Sequence, residues 1–69
     1  KQRIKEALKK ERYNFSHLAD HMGVDNGHLS SVLNGKRKAS KAYVFLLTAT
    51  LNDMTKQEFT TQDFKDLYK

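Results

Sequence analysis

The chain has no cysteine, no proline and no tryptophan, and only three glycines in 69 residues. The lack of cysteine removes disulfides and thiolate zinc sites, so a chain this short depends on a compact helical core or a partner. No run of apolar residues approaches the roughly 20 needed to cross a bilayer. The first segment, KQRIKEALKK, lacks the apolar centre of a signal peptide, and no initiator Met stands at its head. The expectation is one domain over residues 1–69, with room for a longer protein of which it is the N-terminal part. Alternation of β-branched residues is missing as well, which leaves strands little support. There is no glycine-rich phosphate loop and no visible serine–histidine–carboxylate arrangement, so an enzyme is not expected, nor is a cofactor.

What the chain does have is positive charge. Thirteen Lys and Arg stand against eight Asp and Glu, a formal net charge of +5. On a domain of this size that favours a polyanionic partner, either nucleic acid or an anionic membrane surface. A membrane role would rest on the basic first helix. Its apolar face of Ile4, Ala7 and Leu8 is small and carries no Trp or Phe, so core packing is the better reading.

Helical periodicity runs through the chain. A first helix is expected from about Arg3 to Arg12, with Ile4, Ala7, Leu8 and Glu11 on one side. A second begins after Asn14 as N-cap, with Phe15, Leu18, Ala19 and Met22 at i, i+3, i+4 and i+7, and ends at Gly23. Asp25 caps a third helix with Leu29, Val32 and Leu33 inward, closed by Asn34 and a left-handed Gly35. Ser40 caps a longer, strongly apolar helix, expected to be the most buried element, which Asn52-Asp53 would end. Two capping-box patterns, Thr55-x-x-Glu58 and Thr60-x-x-Asp63, suggest short helices over about 55–68. The sum is an all-α bundle of five or six short helices.

Two short helices joined through Gly23-Val24-Asp25 make a helix-turn-helix over about residues 14–34. The outward face of its second helix is Asn26, Gly27, His28, Ser30, Ser31 and Asn34, neither apolar nor acidic. Asn can pair bidentately with adenine, Ser reaches several bases, and His can donate to guanine or a phosphate. The N-terminal half of such a helix does most of the reading. This gives Asn26, Gly27, His28, Ser30 and Ser31 as candidate base contacts. The loop that follows carries Lys36, Arg37, Lys38 and Lys41, and the next helix offers free amides near Ser40. Asn14, Ser16, Asn34, Lys36, Arg37, Lys38, Ser40 and Lys41 are therefore candidate phosphate contacts.

The run FSHLADHMGVDNGHLSSVLNGKRKASKAYVFLLTATLN resembles the Cro/C1-type, or XRE-like, helix-turn-helix family of phage-repressor-like regulators. The residues that carry the likeness are Leu18-Ala19, Gly23, Asn26 to Leu33 and Gly35-Lys36-Arg37, and it covers about residues 4–59. It implies a lambda-repressor-like DNA-binding domain acting in the cytoplasm as a sequence-specific regulator, commonly a dimer on a palindromic operator. The chain departs from the family at three places. Phe15 stands where the family usually has a Gln that contacts a phosphate and braces the recognition helix. Leu8 and Leu33 stand where some members bury an Arg–Glu pair, an exchange that is physically sensible. Ala39 stands where a proline is common.

Phe59, Phe64, Leu67 and Tyr68 in the tail would either close the core or form a homodimer seam. A protein-interaction module on the same scaffold, antitoxin-like or anti-regulator, is the alternative to a DNA reader. His17 and His21 stand i, i+4 beside Asp20, a spacing that can bind zinc. No third ligand is in evident reach, so a solvated face is expected and no metal.

Overall fold

Local side-chain caps set three of the helix starts, and they fall where the sequence places them. The computed structural model describes residues 2–68. Its elements are α1 (Gln2–Lys10), α2 (Phe15–Met22), α3 (Asn26–Leu33), α4 (Lys41–Thr55), a 3₁₀ turn (Thr61–Phe64) and α5 (Lys65–Tyr68), with no strand among the described residues. Asn14 Oδ1 accepts the His17 N–H at 3.0 Å, and the Asn14 N–H donates back to His17 Nδ1 at 3.1 Å. This is a reciprocal capping box with histidine in the place usually held by Glu or Gln. At α3, Asp25 Oδ2 accepts the His28 N–H at 2.9 Å, and at α4, Ser40 Oγ accepts the Tyr43 N–H at 3.1 Å. Gly23 and Gly35 end their segments at φ +73° and +78°, a conformation that glycine adopts without a Cβ penalty.

The apolar stripes then meet in one core. Leu18 of α2, Leu29 and Val32 of α3, and Val44, Leu47 and Leu51 of α4 are wholly buried, with Ile4 and Leu8 of α1 against them. Burying each such side chain contributes about 1.5–3 kcal/mol. Leu8 and Leu33 are both buried in the core. α4 is the hub and packs against α1, α2, the 3₁₀ turn and α5. The radius of gyration, 10.7 Å, matches the ~11 Å expected of a packed chain of this length.

Four expectations are corrected. α1 stops at Lys10, not Arg12. Arg12 takes the left-handed φ of 64°, the Tyr13 N–H reaches back to the Leu8 carbonyl at 2.8 Å, and Glu11 is exposed instead of sharing the apolar face. α4 runs past Asn52-Asp53 to Thr55 and is closed by a left-handed Lys56. Asn52 does not terminate it. Its side chain reaches forward instead, donating to the Phe59 carbonyl at 2.9 Å and accepting the Phe59 N–H at 2.7 Å. No helix forms near Phe59, because Thr55 is buried inside α4 and its hydroxyl donates to the Leu51 carbonyl, which leaves it unable to cap a new start. Thr60-x-x-Asp63 does open the 3₁₀ turn, the Asp63 carboxylate accepting the Thr60 N–H at 2.9 Å.

The fourth correction concerns burial. α4 does bury more residues than any other helix, as expected, yet its outer face leaves Phe45 and Leu46 52% and 41% exposed, and the correction falls on the tail. Phe59 and Phe64 are core residues, their rings stacked at 5.6 Å. They are not available for a homodimer seam. Of the tail residues named for one, Leu67 and Tyr68 remain at the surface, and these are half-buried.

Candidate nucleic-acid interface

The polar face of α3 is laid open by the burial of its other face. With Leu29, Val32 and Leu33 held in the core, Asn26, Gly27, Ser30 and Asn34 are exposed, while His28 and Ser31 are half-buried. Asn26 Nδ2 donates to Ser16 Oγ at 3.4 Å, a long bond that ties the first turn of α3 to that of α2. One turn on, Asn34 Nδ2 donates to Ser30 Oγ at 3.3 Å.

His28 is the best fixed of the candidates. Its ring stands edge-on to Tyr43 of α4, centroids 5.3 Å apart. Arg37 reaches back from the loop and brings Nη1 to 3.5 Å from His28 Nδ1. A guanidinium can only donate, so Nδ1 facing it acts as acceptor, and the neutral ring then carries its proton on Nε2. Arg37 thus lies over the N-terminal half of α3 and not with the outer cations of the loop. Asp25, Gly27, His28, Ser31 and Arg37 line a shallow depression of about 380 Å³. Asp25 and Tyr43 are the members of this neighbourhood that sequence reasoning did not assign to the site. Asp25 was visible only as a cap. Tyr43 sits one turn into α4, and nothing in the spacing of the sequence tells that it meets His28. The Tyr43 hydroxyl is sealed from solvent without a hydrogen-bond partner among the described residues, and burial first, then the charge of Asp25, raises its pKa above the usual value.

Beyond α3 the surface is cationic. Lys36, Arg37, Lys38 and Lys41 are exposed, and no Asp or Glu occurs between Asn26 and Asn52. The loop is held from beneath: the Ala39 N–H donates to the Leu67 carbonyl of α5 at 2.8 Å, and Ala39 is buried. Ser40 is exposed with its oxygen already engaged as the α4 cap, so its remaining hydrogen is what it can offer a phosphate. Asn14 and Ser16 are exposed at the start of α2. Helix starts at Asn14 and Ser40 therefore flank α3, each with first-turn amides that lack an intrahelical partner.

No family model, curated protein or solved structure matches the chain. What the surface can do is set by its own chemistry. Uncharged donors and acceptors are bordered by cations, an arrangement suited to base edges within a phosphate frame. His17 and His21 turn out to serve the fold. His17 closes the α2 capping box, His21 Nδ1 lies 2.9 Å from the His17 carbonyl, and both rings stand edge-on to Tyr13 at 5.6 and 5.9 Å. Among the described residues no group of three or more His, Cys, Asp or Glu is placed to hold a metal ion. No helix among them is long and apolar enough to cross a membrane.

Proposed function

We propose that this domain binds double-stranded DNA sequence-specifically and regulates transcription, most simply as a phage-type repressor acting in the cytoplasm. α3 enters the major groove, with Asn26, His28, Ser30 and Ser31 contacting base edges and Gly27 allowing close approach. Lys36, Lys38, Lys41, Asn34, the Ser40 end of α4 and the Asn14–Ser16 start of α2 hold phosphates. Arg37 stands at the border of the two groups. The observation that carries the reading is the continuity of α3's open polar face with the basic loop, in a stretch with no acidic residue from Asn26 to Asn52. With the Arg37 guanidinium beside Nδ1, His28 is suited to offer an Nε2–H to an acceptor such as guanine N7 or O6.

The test is fluorescence anisotropy with a duplex selected from a random pool and with a scrambled duplex, across a range of salt. Each neutralised phosphate adds about 0.9 to the log–log salt slope, so Lys36, Lys38 and Lys41 alone give a slope of about 2.7. Lys36→Ala should weaken both duplexes alike and lower the slope by about one. Ser31→Ala and Asn26→Ala should cost about 1–3 kcal/mol on the selected duplex only. Salt-insensitive or absent binding would instead favour the protein-interaction module.

A further inference from the structure

Phe45 and Leu46 are the large apolar side chains that the fold leaves most open, and they are not isolated. Ala42, Phe45, Leu46 and Ala49 fall at i, i+3, i+4 and i+7 of α4 and all four are exposed, opposite the face of Val44, Leu47, Leu51 and Met54 that builds the core. The stripe covers two turns and is uncharged, but its ends are not. The exposed Lys41 and the first-turn amides of α4 lie at one end, and the exposed Asp53 lies at the other, about 18 Å further along the helix.

We propose that this outer face of α4 is a self-association surface, and that its occupant is the α4 of a second copy running antiparallel to it. Charge selects both the partner and the direction. An antiparallel pair sets Asp53 of each copy over the positive first turn and Lys41 of the other, twice by symmetry, whereas a parallel pair would set like over like. Shape agrees. With the helices crossing near the middle of the stripe, Phe45 of one copy faces Leu46 of the other and Ala42 faces Ala49, so the large side chains pack at the crossing point and the small alanines flank it. Four side chains over two turns fall well short of the roughly 800 Å² per partner of a standard stable interface, so the free pair is weak. α4 begins at the proposed phosphate-binding loop, and two copies on neighbouring half-sites would be held at high effective concentration, where a weak contact suffices. This last step alone rests on the DNA-binding reading.

The experiment is a dilution series of ¹⁵N-labelled full chain followed by amide chemical shifts, without DNA. Concentration-dependent shifts should centre on Ala42, Phe45, Leu46 and Ala49, and Leu46→Lys should weaken association at least about tenfold with an unchanged melting temperature. Asp53→Lys should weaken it as well, and mixing the Asp53→Lys protein with a Lys41→Asp protein should restore pairing between them. Shifts centred on Leu67 and Tyr68, no concentration dependence at the highest soluble concentration, or no rescue in the mixture would each overturn the proposal. A parallel titration on a duplex with two half-sites reads cooperativity. Loss of all DNA binding there would count against the DNA reading while the dilution series still decides the α4 contact.

Discussion

Replacing Gly27 with alanine separates two reasons for a missing side chain at the second position of α3. In a helix interior alanine is favoured over glycine by about 1 kcal/mol, so a purely tolerated glycine should yield that gain on substitution. The structure opposes it. A Cβ built on Gly27 lies 3.0 Å from Asp25 Oδ2, the same oxygen that accepts the His28 N–H at 2.9 Å. The carboxylate must shift by a few tenths of an ångström, which lengthens a cap worth about 0.5–2 kcal/mol. The two effects nearly cancel, and Gly27→Ala should change stability by less than about 0.5 kcal/mol. In an Asp25→Ala background the obstruction is gone, and the same substitution should stabilise by close to 1 kcal/mol, or about 4–8 °C in Tm for a domain of this size. Thermal melts of the four proteins give the coupling, expected at about 0.5–1 kcal/mol. An equal rise in Tm in both backgrounds would refute the crowding argument. The same proteins test function separately. Gly27 is exposed and lines the depression with His28 and Ser31, so on the proposed reading its alanine variant loses about tenfold on a selected duplex and nothing on a random one. Equal affinity of wild type and Gly27→Ala for the selected duplex would leave the cap as the whole explanation.

Asn52→Ala removes both bonds that hold the tail at Phe59 and leaves two backbone groups without that partner, for a loss of about 2–3 kcal/mol and about 10–20 °C in a thermal melt. Ala39→Pro deletes the donor to the Leu67 carbonyl beneath the basic loop and should cost about 1 kcal/mol or more in urea denaturation. Asp63 has its pKa lowered, first by the Thr60 N–H and further by Arg3, whose Nη1 lies 3.3 Å away. A depressed carboxyl pKa stabilises the fold above the unfolded value, near 3.8, and that contribution is lost as pH falls through the lower folded value. Asp63→Asn should therefore flatten the acid limb of a Tm-against-pH curve below about pH 4 and leave the neutral region's slope unchanged.

What was legible in the sequence was local. Asn14, Asp25 and Ser40 cap amides three residues ahead, and Gly23 and Gly35 turn the chain where they stand, so composition and spacing locate α2, α3 and the start of α4. What was not legible depends on distant contacts. Asn52-Asp53 reads as a terminator by propensity, but the chain returns Phe59 to the Asn52 side chain, and α4 continues. Thr55 matches a capping box until α4 extends over it. AYVFLLTATL is apolar around most of its circumference, so periodicity could not say that Phe45 and Leu46 face outward while Phe59 and Phe64 fill the core from the tail. At the site, α3's open face followed from its buried stripe. The return of Arg37 over His28, and the ring of Tyr43 against it, required the loop's path to be known.

Ala39 and Phe15, two places where the sequence departs from the pattern it resembles, have local reasons in these contacts. Proline at position 39 would remove the N–H that fastens the basic loop to α5, so here alanine is the residue that holds the loop. The Phe15 side chain can make no hydrogen bond, and it packs against the core. The link between α2 and α3 passes one residue along, to Ser16 Oγ and Asn26 Nδ2. On the proposed reading this has a cost in specificity. Asn26 shares its amide with Ser16, so full bidentate pairing with adenine requires that long, 3.4 Å bond to break or to turn. Ser16→Ala would free Asn26 at the expense of its orientation. Asn26 then acts as a reader only if Ser16→Ala alters the preferred base at a single position of the selected duplex. A uniform change over all sequences would reduce Ser16 and Asn26 to a brace between two helices.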